Sequence, residues 1–156
     1  MVYMGGAVVI SQNSLYALRA LFELTKRAHQ GPVKISVIAN AQVIPRRFLE
    51  VILNRLKHSG LVGSRRGNNG GYYLAMSPKD ISIGDVLRIM QGPLDPVPCL
   101  SGGSKRMYTL YSDCVFLPLW EKARDTVNNI YDSTTFQILL ENEKQLIEEL
   151  SLSYAI

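Results

Sequence analysis

The chain has 156 residues, of which 17 are Lys or Arg, 13 are Asp or Glu and two are Cys. Its 47% apolar and 19% charged residues are ordinary for a globular domain and exclude a disordered chain or a fibre. Two cysteines are too few to staple a fold of this size, which argues against a secreted disulfide scaffold and favours a reducing compartment.

The start of the chain, MVYMGGAVVIS, has neither the basic first residues nor the long apolar stretch of a signal peptide. No apolar run approaches the ~20 residues that a membrane span needs. We therefore expect a cytoplasmic protein that does not contact a membrane.

The net charge of +4 is unevenly distributed. Residues 1–81 carry eleven Lys or Arg against three acids, whereas residues 82–156 carry six against ten. A basic patch of this kind is typical of proteins that bind polyanions, although a solvated surface would give the same count. Six cations of the first half fall within 21 positions that contain one acid: Arg46, Arg47, Arg55, Lys57, Arg65 and Arg66.

The first half predicts three helices. Apolar residues at helical spacing from Ser11 to His29 indicate a first helix of about 17 residues. The segment SVIANAQ predicts a short second helix with Ser36 as its N-cap. A third helix is expected from Pro45, at its first position, to a left-handed cap at Gly60. Its predicted buried stripe consists of Phe48, Leu49, Ile52, Leu53 and Leu56.

The other face of the third helix carries polar residues near its start, and two short helices joined by a tight turn indicate a helix-turn-helix. Two strand-like runs, LVGSRR and YYLA, flank GNNGG and predict a hairpin that forms a wing. Arg65 and Arg66 stand at its entrance, where a guanidinium can enter a minor groove or bind phosphate. The same fold also occurs in protein-interaction modules that bind no specific DNA, and this alternative stays open.

The second half begins with ISIGDVLRIMQG, a helix capped by Ser82 and stopped by Gly92. Residues 93–113 combine three prolines, two glycines and no sustained periodicity, and a loop of that length is usually functional. A long helix opens at Pro118, and residues 134–151 indicate one or two more helices. Apolar residues of the long helix form a coiled-coil-like seam that predicts a homodimer interface: Phe116, Trp120, Ala123, Val127 and Ile130.

These elements predict a mainly α fold with a small β-hairpin. We expect a winged helix-turn-helix DNA-binding domain over residues 8–81, and a sensor loop with dimerisation helices over residues 82–156.

Three stretches of the chain resemble the Rrf-type bacterial transcription regulators. They are ISQNSLYALRAL, then IANAQVIPRRFLEVILNRLKHSGLVGSRRGNNGGYYLA, then ISIGDVLRIMQG, and they span most of residues 10–92. The resemblance implies a winged-helix homodimer that binds a roughly palindromic operator on double-stranded DNA and usually represses transcription.

The resemblance also assigns roles to single residues. Glu50 matches the acidic residue that reads a base edge, such as a cytosine amino group. Arg66 matches the arginine of the wing, and Arg46 and Arg47 occupy the variable positions beside Glu50. Three further residues are expected to contact the DNA backbone: Tyr16, Ser36 and Lys57. For Tyr16, packing as an aromatic residue of the first helix is a nearly equal alternative.

Cys99 and Cys114 lie where the resembling family places the first and last of three cysteines that hold an iron-sulfur cluster. No cysteine lies between them, and Leu117 replaces a histidine that some members have. Two thiolates are too few for four-ligand coordination unless Asp95, Asp113 or the partner chain contributes. Three hypotheses stay open: a cluster with mixed ligands, a redox-switchable disulfide, or a loop that responds to something else.

No constellation of a nucleophile with its base, or of metal ligands with enzyme-like spacing, is found in the sequence. We therefore expect a regulator and not an enzyme.

Overall fold

The computed structural model describes residues 9–100 and 115–154. These residues form six α-helices and one two-stranded antiparallel hairpin, as the predicted mainly α fold requires. The helices are α1 Gln12–Lys26, α2 Ile35–Gln42, α3 Arg46–His58, α4 Ile83–Gln91, α5 Leu117–Ser133 and α6 Phe136–Tyr154. The strands are β1 Val62–Arg65 and β2 Gly71–Leu74.

The first helix begins as its sequence indicates. The Ser11 side chain accepts a hydrogen bond from the Ser14 N–H at 3.1 Å, which satisfies one of the free donors of the first turn. The helix has 15 residues and ends earlier than expected, because residues Ala28–Gln30 tighten into a 3₁₀ turn.

The helix-turn-helix forms with different boundaries from those expected. Ser36 does not cap α2, because the helix begins one residue earlier, at Ile35, and Lys34 is the residue before it. The side chain of Ile35 packs on the core. Pro45 is the residue before α3 and not its first residue, since its ψ of 128° is extended. Between the helices, Val43 adopts a left-handed conformation with φ of 52°.

The buried side chains of α1, α2, α3 and α4 form one cluster that also takes in Phe136 at the start of α6. Leu49, Ile52, Leu53 and Leu56 supply the α3 stripe, each at most 1% exposed. The prediction that Phe48 belongs to this stripe is wrong, because 39% of its surface is exposed. Phe48 lies on the flank of α3, beside Tyr16 of α1.

The wing has the predicted hairpin, with Val62 opposite Leu74 and Arg65 opposite Gly71. Its second strand also pairs with the connection between α1 and α2. Val33 and Tyr72 exchange two backbone hydrogen bonds of 2.8 Å. A Cβ atom at Gly71 would meet the Val33 carbonyl, so this approach requires glycine.

The capping box at the start of α4 is complete. The Ser82 hydroxyl accepts from the Asp85 N–H at 3.1 Å, while the Asp85 carboxylate accepts from the Ser82 N–H at 3.2 Å. Gly92 stops the helix at a φ of 83°, as expected.

The two C-terminal helices differ in their packing. α5 has no buried residue, whereas α6 is a single helix whose first residue, Phe136, is 1% exposed. None of the helices within residues 9–100 and 115–154 is long and apolar enough to cross a membrane.

Candidate nucleic-acid interface

The outward side of α3 carries the residues predicted to face DNA. Arg46, Arg47, Glu50 and Lys57 are all exposed. The Arg46 guanidinium lies one turn from Glu50 and donates from Nε to Oε1 at 3.2 Å. Both side chains are more than half exposed, at 65% and 56%, so solvent screens this pair and leaves it worth about 0.5 kcal/mol. A base or phosphate can therefore displace one partner from the other at little cost.

Arg47 is held by an aromatic contact and not by an acid. Its guanidinium lies 4.6 Å from the centroid of the Phe48 ring, and that ring lies 6.4 Å from the ring of Tyr16. Tyr16 is half-buried, so packing and a DNA contact are both open to it. The three side chains connect the start of α3 to α1, and the guanidinium keeps its hydrogen-bond donors free while it is stacked. Sequence reasoning missed the role of Phe48 because helical spacing alone placed it near the core stripe.

Within residues 9–100 and 115–154, most cations of the basic patch have no acid partner. Among the described residues, Arg46 is the only one of its six cations in a salt bridge. In contrast, Lys26, Arg27, Arg88 and Arg124, which lie outside the patch, all pair with carboxylates. Unpaired and exposed guanidinium and ammonium groups are free to replace counterions on a phosphate backbone.

The other predicted DNA contacts lie on separate elements. Ser36 is exposed in the first turn of α2, and Arg65 and Arg66 are exposed at the end of β1 and the start of the wing turn. No hydrogen bond or ring contact among the described residues joins these three to the α3 face. Two groups of predicted residues therefore lie together in the structure. Tyr16 and Arg47 both contact Phe48, and Arg46 contacts Glu50.

A buried carboxylate fixes α2 against α1, and sequence reasoning missed it. Glu23 is 3% exposed, accepts from the Gln42 amide at 2.8 Å and forms ion pairs with Arg27 and Lys26. Burial alone raises the pKa of Glu23, but hydrogen bonds from Arg27 and Gln42 and the two nearby positive charges outweigh it, so the pKa lies below its ordinary value. Arg19 of α1 also donates to the Gln42 backbone carbonyl.

The predicted seam of α5 is open in the single chain. Phe116 and Ile130 are 58% and 56% exposed, while Trp120, Ala123 and Val127 are half-buried. Because none of the five is fully covered, this face is available to another chain. The C-terminal end of α5 is anchored by the Arg88 guanidinium of α4, which donates to Asp132.

Cys99 lies half-buried in a 3₁₀ turn, Pro98–Leu100, and Cys114 lies outside the described residues. No group of three or more His, Cys, Asp and Glu side chains that could hold a metal occurs in the described part of the chain. A cluster ordinarily takes four protein ligands, and the whole sequence supplies two thiols. The residues present therefore do not fit a cluster held by the cysteines of one chain.

A tight turn between two helices, a basic outward face on the second and a hairpin wing together define a winged helix-turn-helix DNA-binding regulator. Residues 10–142 match the Rrf2 family, described as iron-dependent transcriptional regulators. The chain belongs to this family of transcriptional regulators.

Individual relatives agree with this assignment. The chain is 35% identical over 132 residues to the HTH-type transcriptional regulator CymR of Bacillus subtilis (strain 168), a match that covers 83% of this chain and 88% of the relative. The solved structure of CymR (YrzC), described as the global cysteine regulator of B. subtilis, superimposes with a TM-score of 0.71 at 32% identity and covers 86% of this chain and 97% of that one. The structure of T. potens IscR gives a TM-score of 0.70 at 29% identity, with coverages of 88% and 90%.

Proposed function

We propose that this regulator is a cytoplasmic homodimer that binds an inverted-repeat operator and represses transcription. In this proposal residues 8–81 form the DNA-binding domain, and residues 82–156 supply the dimer helices and the signal-responsive loop. The observation that carries it is the set of unpaired, exposed cations beside the open face of α3.

Each of the residues predicted to contact DNA has a role in this proposal. With α3 in the major groove, Glu50 accepts a hydrogen bond from a cytosine amino group once Arg46 has turned to the DNA. Arg46 and Arg47 set the sequence preference of this chain. Arg65 and Arg66 of the wing bind the minor groove or its phosphates. Backbone contacts that fix the register come from Tyr16, Ser36 and Lys57.

The test is selection of preferred duplexes from a random pool by the full chain, followed by titration over a range of salt concentrations. We expect nanomolar-range binding to an inverted repeat, with a log–log salt dependence that reflects several neutralised phosphates. Equal affinity for the selected and a scrambled duplex at matched salt would contradict the proposal and favour a protein-interaction module.

Two alanine variants separate base reading from backbone contact. Glu50→Ala should relax the preference at one base pair more than it weakens total binding. Lys57→Ala is the matched control on the same helix, and it should weaken all duplexes alike and reduce the salt slope by about 1. A uniform loss of affinity in Glu50→Ala would remove Glu50 from the base-reading role.

The affinity of this regulator for its operator is expected to respond to a chemical signal. We infer that this signal acts through the loop of residues 93–114, where Cys99 and Cys114 supply the two thiols of the chain. A solved structure described as the global cysteine regulator of B. subtilis supports a signal that involves sulfur chemistry. The donor count favours a thiol switch over a cluster held by this chain alone.

The visible absorption spectrum of anaerobically purified protein tests this inference. We expect a colourless sample with about two titratable thiols per chain, and about none after mild oxidation. A brown sample with charge-transfer absorption would instead show a cluster that takes further ligands, and a colourless sample whose thiols do not change would remove the cysteines from signalling.

A further inference from the structure

An apolar residue lies at the centre of the polar face of α3. At about 100° per residue, the side of the helix opposite the buried stripe carries Arg47, Val51 and Asn54. Val51 is 68% exposed, although valine loses side-chain freedom in a helix and gains nothing from burial here. Its neighbours one turn away on the same face are Arg47 and Asn54, both exposed side chains with hydrogen-bond donors.

The position of Val51 along α3 fits contact with bases. It is the sixth residue of the helix and directly follows Glu50. In a helix docked by its N-terminal part, the first two turns reach base edges, while later residues pass along the backbone. In the major groove, a thymine presents one apolar group, its C5-methyl, and an aliphatic side chain is the group that recognises it.

We propose that Val51 is a specificity-determining residue that packs on the C5-methyl group of a thymine in each half of the operator. This inference rests on the proposed function, because it requires α3 to lie in the major groove. The contact of Val51 would be apolar, whereas the other residues proposed to contact DNA from the outward face of α3 bind polar groups of bases or phosphates. The group that Val51 recognises on the DNA is therefore the single C5-methyl group of a thymine.

Deoxyuridine tests this contact because it differs from thymidine in that methyl group alone. The full chain is first used to select its preferred duplex, and each thymine of one half-site is then replaced in turn by deoxyuridine. We expect one replacement to weaken binding of the wild type about fourfold, the factor that burial of one methyl group gives. The Val51→Ala variant lacks the contact in both half-sites, so it should bind the thymine duplex about 16-fold more weakly, and it should show no further loss with deoxyuridine.

Val115→Ala is the matched control, because Val115 is 80% exposed just before α5 and should leave the deoxyuridine effect unchanged. Val51→Thr keeps the shape of the side chain and one of its methyl groups, so it should retain part of the effect. Circular dichroism of each variant establishes that the helix content of the chain is unchanged.

The experiment distinguishes failure of the proposed function from failure of the inference about Val51. If selection gives no preferred duplex at matched salt, the proposed function fails, and the role of Val51 fails with it. If a preferred duplex is found but contains no thymine whose methyl group matters, the inference about Val51 is overturned while the regulator stands. The same holds if Val51→Ala keeps the full deoxyuridine penalty.

Discussion

Glu23 shows how one buried residue sets the geometry of the DNA-binding helices. Its carboxylate is almost fully covered, yet it accepts a hydrogen bond from Gln42 of α2 and pairs with Lys26, the last residue of α1, and with Arg27, which follows it. A buried charge is tolerated only where partners replace its lost water. The carboxylate therefore fixes the end of α2, and with it the turn that presents α3.

The lowered pKa of Glu23 predicts a pH-dependent stability. The group is ionised more readily in the folded than in the unfolded chain, so its contribution is fully present above the ordinary value of 4.5 and is lost as the pH falls through the lower folded pKa. We expect Glu23→Gln to reduce the free energy of unfolding at pH 7 by about 2 kcal/mol, because Arg27 and Lys26 lose their counter-charge. Urea denaturation followed by circular dichroism measures this difference.

The difference between Glu23→Gln and the wild type should narrow as the pH falls from 4.5 through the lower folded pKa, below which both side chains are neutral. Glu149→Gln is the control: it removes an exposed carboxylate of α6 and should change the free energy of unfolding at pH 7 by less than about 0.5 kcal/mol. A difference that stays constant from pH 7 to pH 3 would show that Glu23 acts through shape and not through charge.

At the scale of elements, the sequence predicts the helices, caps and turns that depend on residues close together in the chain. Helical spacing located α1, α3 and α4, and the cap at Ser82 and the stop at Gly60 appear where their residue types require. The hairpin followed from the Gly- and Asn-rich turn between two strand-like runs. These features depend on neighbours within a few residues, which a single sequence displays.

Contacts between distant segments were not predictable in this way. The pairing of Val33 with Tyr72 uses backbone groups and leaves no side-chain signature. Gln91 at the end of α4 accepts from the Ser11 N–H at 3.0 Å and from the Ser14 hydroxyl at 2.8 Å, across about 80 residues of sequence. The apolar character of Phe48 suggested a core position, but its side chain is 39% exposed and lies beside Tyr16.

At the scale of the whole molecule, the excess of cations and the open seam of α5 lie in different halves of the chain. The first half carries the excess of cations, and the second carries the excess of acids together with the open seam of α5. The excess of cations favours attraction for DNA in the winged half, and the seam of α5 is exposed in the single chain. Residues on such a face gain their burial only on association.

A charge placed in the seam therefore tests the homodimer. Ile130 is 56% exposed in the single chain, so Ile130→Asp should leave the fold of each chain intact and separate the chains, because the dimer would bury an unpaired carboxylate. Light scattering after size-exclusion chromatography should give the mass of one chain for the variant and of two for the wild type. Affinity for a full inverted repeat should fall about 100-fold or more, because the two DNA-binding domains are no longer joined in one dimer. Affinity for a single half-site should not change.

Asn129→Asp is the control for this variant. It introduces the same charge at the adjacent exposed position, away from the seam, and should behave as the wild type. A dimeric Ile130→Asp variant would mean that the chains associate through another surface.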